Sequence, residues 1–306
     1  KGILLRARAE WIEGAEKNTK YFSNLEKKRA EEKSIKQLFV DDKLITEQKH
    51  IMSSTAKFYE QLYKKDNYIR NNDTFFETNG HTITNEQKQQ CEGEISEYEA
   101  FTALKEMNNK KSPGSDGISA EFFKLFWNDI KEHYIKSINY SFKNDNLTEL
   151  QKQSLITLIP KKDKNLTNLN NWRPISLLNI DYKIASKTIA NRIKKSLPHL
   201  ISEDQTGFVK GRYIGENVRL IQEIIEKMQE NHEPGIIFFA DFQKAFDSVD
   251  HKFIFKCLKY FNFGEQLIKW VSLFYKDAKA CVTNNGHCSN ILTSRREYVK
   301  DILFLH

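Results

Sequence analysis

The chain has 306 residues, 39% of them hydrophobic and 12% aromatic, which is enough to build a core and too apolar for a disordered chain. Charged residues make up 29% and the net charge is +7, with the basic residues spread along the chain rather than gathered in one tail. That balance fits a polyanionic partner, nucleic acid first and a membrane surface second, with a plain basic protein as the alternative.

No apolar run approaches the roughly 18 residues that a membrane-spanning helix needs, so no membrane span is expected, and no membrane is counted among the expected partners. The four cysteines, Cys91, Cys257, Cys281 and Cys288, show no CxxC pairing, and reduced thiols in a cytoplasmic or nuclear setting are expected. His287 beside Cys288 is a slight metal signal at most. The chain opens on Lys1 with nothing resembling a signal peptide, and it reads as a piece of something longer.

In chain order, residues 1–32 predict a helix, since Leu4, Trp11, Ala15, Phe22 and Leu25 recur at three-to-four spacing between charges. "AKFYEQLYKK" predicts a second amphipathic helix. Residues 65–90 are polar and Asn-rich, and read as a linker. Ser96 and Glu99 form a capping-box pattern that opens the helix "YEAFTALKEMNN". After the turn-rich "KKSPGSDG", one helix is expected to carry Phe122, Phe126, Ile130, Tyr134 and Ile138. "SLITLIP" (154–160) reads as a strand. "NLNNWRPISLLN" cannot be helical throughout, because Pro174 biases Arg173 towards extended backbone. The basic helix "YKIASKTIANRIKKSL" leads to the loop "DQTGFVKGRYIGEN", then to a helix carrying Val218, Ile221, Ile224, Ile225 and Met228. Two short aromatic-rich helices follow, and Asn285-Gly286 suits a hairpin turn.

"IIFFA" (236–240) is a continuous apolar run, the pattern of a strand covered on both faces, and it delivers Asp241 at its end. A carboxylate there is either a cap just past a core strand or a ligand of a hard divalent ion such as Mg²⁺. Asp247 and Asp250 fit the capping role, since either stands before the helix "HKFIFKCLKYF".

The surrounding residues favour the metal. "ADFQKAFDSVDH" closely resembles the first catalytic motif of reverse transcriptases from LINE-type, non-LTR retrotransposons. "KKSPGSDGISAEFFK" resembles that family's opening block, "LITLIPKKDKNLTNLNNWRPISLLNIDYKIASKTIANRI" its fingers blocks, and "EDQTGFVKGRYIGENVRLI" the block leading into the palm. "WIEGAEKNTKYFSNLEKKRAEEKSI" is similar to the segment joining endonuclease and polymerase in such elements. The likeness runs to about residue 293.

The resemblance implies an α/β (α+β) fold: a mostly helical extension over 1–95, fingers over 96–234 and a partial palm over 235–293. Asp241 would be the first metal-binding aspartate, with the backbone carbonyl of Phe242 on the same ion. Phe246 would exclude a ribose 2′-hydroxyl by clash, unless it is simply core. Arg173, a permanently charged planar fork, would contact the incoming triphosphate, with Lys161 and Lys162 beside the phosphates or merely solvated. Lys183, Lys187, Arg192, Lys194, Lys195, Lys210 and Arg212 would line a channel for RNA template and DNA primer, each with a surface role as the alternative. Gly207 and Gly211 would let backbone approach the template.

The implied reaction is in-line attack of a primer 3′-hydroxyl on the α-phosphate of a deoxynucleoside triphosphate, assisted by two Mg²⁺ ions, and it needs more carboxylates than Asp241. In the family these come from an Asp pair after an aromatic residue, downstream of the first motif. The only Asp-Asp here is Asp41-Asp42, so the chain by itself is expected to be inactive.

Where the family continues as R-G-V-R-Q-G-x-P-L-S-P, this chain reads "REYVKDILFLH". One back-translation of Glu297–His306 among its synonymous alternatives, GAG TAC GTC AAG GAT ATC CTC TTT CTC CAT, read two bases on, gives V-R-Q-G-Y-P-L-S-P. Residues 294–306 are therefore expected to be an out-of-frame tail. The leading expectation is a reverse transcriptase fragment, with no obligate protein partner evident. The alternatives are a non-catalytic nucleic-acid-binding remnant of a decayed element and, resting on the charged helices of 1–64, a helical interaction protein. With its partner strands missing, the apolar run before Asp241 is expected to be poorly buried, and the chain marginally stable or prone to aggregate.

Overall fold

The computed structural model describes residues 34–63, 76, 80–241 and 249–293. The helix expected over 1–32, the tail from 294, Phe242, Phe246 and Asp247 lie outside them. The fold is mixed α and β. Its elements are β1 (Leu38–Val40), β2 (Lys43–Ile45), α1 (Gln48–Leu62), α2 (Asn85–Cys91), α3 (Glu97–Lys105), α4 (Ala120–Leu125), α5 (Trp127–Lys143), β3 (Gln153–Pro160) and β4 (Trp172–Leu178). Then come α6 (Ile180–Leu200), α7 (Gly215–Glu230), α8 (His251–Tyr260), α9 (Glu265–Tyr275), β5 (Lys279–Asn284), β6 (His287–Cys288) and β7 (Leu292–Thr293). The strands form a β1–β2 hairpin and a sheet of order β4–β3–β5–β6, with β7 also on β5.

The chain divides into two compact units drawn from discontinuous stretches. Of the described residues, 34–59, 156–175 and 281–291 form the first and the rest the second.

In the first unit, β1 and β2 pair through Leu38↔Ile45, Phe39↔Leu44 and Val40↔Lys43, across a two-residue turn. Asp41 and Asp42 hold that turn at φ 48° and 60°, the left-handed pair that a hairpin of this length requires. The chain's only Asp-Asp is therefore turn chemistry. Asn284 binds the segment before β1 in both directions: the Ile35 amide donates to its Oδ1 at 2.8 Å, and its Nδ2 donates to the Ile35 carbonyl at 3.1 Å. Asn285-Gly286 makes the expected β5–β6 turn, with φ values of 50° and 76°.

The second unit is organised on α6, which packs against α2, α3 and α9. Its sequence buries Ile184, Ala185 and Ile189 completely. Phe142 of α5 stacks on Trp270 of α9 at 4.2 Å, and the Tyr182 hydroxyl donates to the Phe274 carbonyl at 3.0 Å. The expected box at Ser96 and Glu99 opens α3, and a second box, Thr84 with Gln87, opens α2 inside the stretch read as linker. The single helix expected through Phe122 and Ile138 is broken at Phe126 (φ −99°, ψ 16°), whose carbonyl accepts from the Asp129 and Ile130 amides of α5.

The loop "SPGSDG" is tied to the start of α6. Asn179 Oδ1 accepts from Ser115 Oγ and the Asp116 amide, both at 3.3 Å. A β-carbon on Gly114 would stand 2.4 Å from the Asn179 nitrogen, so only glycine permits this approach.

The expected strand over 236–240 is not formed. The segment is extended without a ladder, and Ile236, Phe238 and Phe239 are 97%, 86% and 78% exposed. A strand needs neighbours to take its hydrogen bonds and cover its side chains, and none of the described residues pairs with this run. Its poor burial is as expected. Helix α7 forms where its periodicity places it, yet none of its residues is buried.

Candidate nucleotide and nucleic-acid site

Arg173, Lys161 and Lys162 belong to the first unit, on the neighbouring strands β4 and β3 and their connection. Burial along β4 turns Trp172 inward and Arg173 outward, and Trp172 Nε1 anchors the connection by donating to the Leu166 carbonyl at 2.9 Å. Pro174 is tolerated because β4 is the edge of the sheet. The connection is built by asparagines: Asn165 Oδ1 accepts from the Thr167 amide (3.0 Å), Asn168 Oδ1 from the Asn170 amide (2.9 Å), and Asn171 Nδ2 donates to the Asn165 carbonyl (2.7 Å). The Lys161 amide donates to the Asn171 carbonyl (2.9 Å) and its ammonium to the Asn170 carbonyl (2.8 Å). Lys161 is thus held within the connection, whereas Lys162 and Arg173 are exposed on it.

Asp241 belongs to the second unit and is exposed at the end of the unpaired apolar run. No group of three metal-ligating side chains exists among the described residues. They offer Asp241 as one carboxylate and do not by themselves assemble a metal centre. Asp250 is a cap, its Oδ1 accepting from the Lys252 amide at 2.8 Å.

Two cations expected on a nucleic-acid channel are turned inward. Arg192 is 4% exposed. Its Nε and Nη2 donate to Glu99 at 2.7 and 2.9 Å. Its Nη1 donates to the carbonyls of Cys91 (3.1 Å), Glu92 (3.3 Å) and Gly93 (3.0 Å), and Nη2 also reaches that of Glu94 (2.8 Å). A guanidinium has five donors and no acceptor, so a run of carbonyls at the end of α2 suits it. Burial pushes the Glu99 carboxyl up, but hydrogen bonds from Arg192 and Ser96 outweigh that and bring it down to about 2. The next residue in the run, Glu92, accepts from the Gln266 and Leu267 amides at the start of α9, at 3.1 and 3.0 Å.

Lys187 is 7% exposed and pairs with Glu106 at 3.1 Å. Burial raises the Glu106 carboxyl, while hydrogen bonds from Lys187 and Asn191 take it below the usual range. Neither Lys187 nor Arg192 is available to phosphate. Arg212 is also spent within the fold, donating to the carbonyls of Ser202, Gln205 (2.7 Å), Ile201 (2.8 Å) and Pro198 (3.2 Å).

Lys195 and Lys210 are exposed, and Lys183 and Lys194 half-buried. Gly211 has φ +86°, a turn only glycine takes easily, while Gly207 has no such backbone; a β-carbon on either would meet nothing. Two residues in this loop escaped the sequence reading. Phe208 (φ 63°) and Tyr213 are 76% and 71% exposed and flank Lys210. Aromatic faces beside a cation suit bases and phosphates of a single strand. The signal was in "GFVKGRY", where two rings interleave with two cations.

Residues 159–298 match the family model described as reverse transcriptase (RNA-dependent DNA polymerase). The chain is 31% identical over 93% of its length to the Transposon TX1 uncharacterized 149 kDa protein of Xenopus laevis, covering 22% of that protein. It is 27% identical over 60% of its length to the RNA-directed DNA polymerase from mobile element jockey of Drosophila melanogaster, covering 20% of it. With the Pol polyprotein from type-1 retrotransposable element R2 of Nasonia vitripennis it shares 24% identity over 61% of its length, covering 17% of that protein. The chain thus spans about a fifth of the length of these relatives. Residues 159–298 therefore form a reverse transcriptase segment, and the chain around it is similar to proteins of LINE-type, non-LTR retrotransposons.

Proposed function

We propose that this chain is the fingers and first-motif part of an RNA-directed DNA polymerase that copies an element RNA into DNA. The observation that carries the reading is Arg173, presented on an edge strand beside the asparagine-built connection that also exposes Lys162. A charged fork on a rigid strand can grip a triphosphate with little ordering cost. The nucleotide would be a deoxynucleoside triphosphate, with Phe246 set against a 2′-hydroxyl.

Template and primer would lie on Lys183, Lys194, Lys195 and Lys210, with bases on Phe208 and Tyr213; Lys187, Arg192 and Arg212 are left out. Lys161, held by Asn170, supports the connection. Reverse transcriptases depend on a divalent metal, and we take it to be Mg²⁺. Asp241 and the Phe242 carbonyl would be two of its ligands. The metal's contribution when bound is to neutralise charge on the transferring phosphoryl group. The only Asp-Asp in these 306 residues is the Asp41-Asp42 turn, so we expect them alone not to polymerise. The setting is cytoplasmic and nuclear.

The test is RNA binding by the whole chain across a salt series. Sequence-independent affinity that falls steeply with salt is expected. Lys195→Gln with Lys210→Gln should weaken it on every sequence and reduce the log–log slope by about 1 to 2. No affinity for RNA at low salt would sink the reading.

A further inference from the structure

A cavity of about 670 Å³ opens between the loop before α7 and the first turns of that helix, within the second unit. Its character is opposite to that of the chain as a whole. Glu203 and Glu216 line it, and among the described residues neither side chain has a partner. Leu220 and Ile221 supply an apolar wall. The only lining cation, Arg219, is taken by Glu223 at 2.7 Å.

The loop side is fixed in place. Asn217 Nδ2 donates to the Asp204 carbonyl at 3.2 Å, and Ser202 Oγ donates to Asp204 Oδ2 at 3.1 Å. Glu216 sits in the first turn of α7, where the helix dipole favours an acid, so by itself it says nothing about a ligand.

Thr206 says more. It lines the same cavity, is 5% exposed, and its hydroxyl is buried with no hydrogen-bond partner. Such a group is costly unless something satisfies it. Trp127 Nε1 and His251 Nε2 of this unit are also buried without a partner, but of the three only Thr206 lines this cavity.

We propose that this cavity binds an alkylammonium group, in the form of a lysine side chain of a basic peptide segment. The aliphatic stem would lie on Leu220 and Ile221. The ammonium would donate to Thr206 Oγ1 and to the Glu203 and Glu216 carboxylates, which satisfies the orphan hydroxyl and both free acids. Long basic side chains divide their two parts between apolar and polar surroundings in this way. Phosphate is excluded by the same carboxylates, so the site is separate from nucleic-acid binding.

The test is a fluorescence-polarisation titration of the whole chain with fluorescein-labelled hexalysine. Because the chain carries net charge +7, unspecific attraction of a polycation is disfavoured. Saturable binding is expected, weakened about tenfold or more by Glu203→Gln with Glu216→Gln, since two charge-assisted hydrogen bonds are lost. Thr206→Val should weaken it about fivefold, the worth of one hydrogen bond, without lowering the melting midpoint, because the valine removes an unsatisfied group at constant shape.

Unlabelled spermidine separates two sources of the same chemistry. Displacement at concentrations matching unlabelled hexalysine assigns the site to a free polyamine, and displacement only at far higher ones assigns it to peptide lysine. No saturable binding at about 1 mM probe, weaker than most specific contacts, would overturn the proposal. Binding that ignores Thr206→Val would overturn it too, leaving only an acidic surface. Should the double variant fail to fold, Thr206→Val alone decides.

Discussion

Two stretches of the second unit have similar hydrophobic patterning and opposite fates. Around Arg192, helices α2, α3, α6 and α9 bury their apolar faces on one another, and the guanidinium they enclose meets a carboxylate and four carbonyls. From Gly215 to Asp241, an amphipathic helix and an apolar run expose Val218, Leu220, Ile224 and nearly all of Ile236. Periodicity states that a face needs covering. Whether cover exists depends on residues far away in sequence, and here only the first stretch has it. An interior that is both packed and electrostatically closed should respond to mutation far more than a stretch that touches little.

Arg192→Leu is expected to have the largest effect. It leaves Glu99 half-buried without its partner and orphans a row of carbonyls, at a cost of about 3–5 kcal/mol in urea unfolding. A loss under about 1 kcal/mol would show that the hub is ornamental.

Acid should attack the same place. Glu99 has its folded value lowered from 4.5 to about 2, so its contribution is complete above 4.5 and is lost as pH falls from there towards 2. That linkage is worth about 3 kcal/mol, and Glu99→Gln should remove this step from the acid limb of a stability–pH curve. An unchanged acid limb in the variant would assign the loss to other carboxylates.

A smaller effect is expected in the first unit. Gly286→Ala places a β-carbon at φ +76°, costing about 1 kcal/mol in the β5–β6 turn, measured by thermal melts. The smallest belongs to the uncovered stretch. Ile224→Lys with Phe238→Ser should change stability by no more than about 0.5 kcal/mol while reducing aggregation in light scattering. Strong destabilisation by that pair would mean the stretch is packed after all, and would erase the contrast.

Much of this was legible where a local signal is complete in itself. Ser96–Glu99, Asn285-Gly286, Pro174 and Asp250 each carry their own geometry, and the structure places each as read. Helix α2 was hidden because "NEQKQQC" has no apolar stripe, leaving the Thr84–Gln87 box as its only mark. Strands β1 and β2 have three residues each, too few for an alternation to register. Arg192 and Lys187 are expected on a nucleic-acid channel, with a surface role as the alternative, because a basic helix shows its charges but not the Glu99 and Glu106 that meet them from another element. The run before Asp241 was correctly read as needing cover and wrongly as a formed strand, since strand pairing is never local.

The most direct measurement is the nucleotide sequence of the source locus, from about codon 285 to several hundred bases past the codon for His306. We propose that Asp241 is one of several carboxylates encoded together, and that residues 294–306 are read out of frame. The expected result is a second frame that continues into R-Q-G-x-P-L-S and then an aromatic residue shortly followed by an Asp pair. An intact frame with no such pair in any frame would contradict the polymerase reading of this locus and leave an RNA-binding remnant.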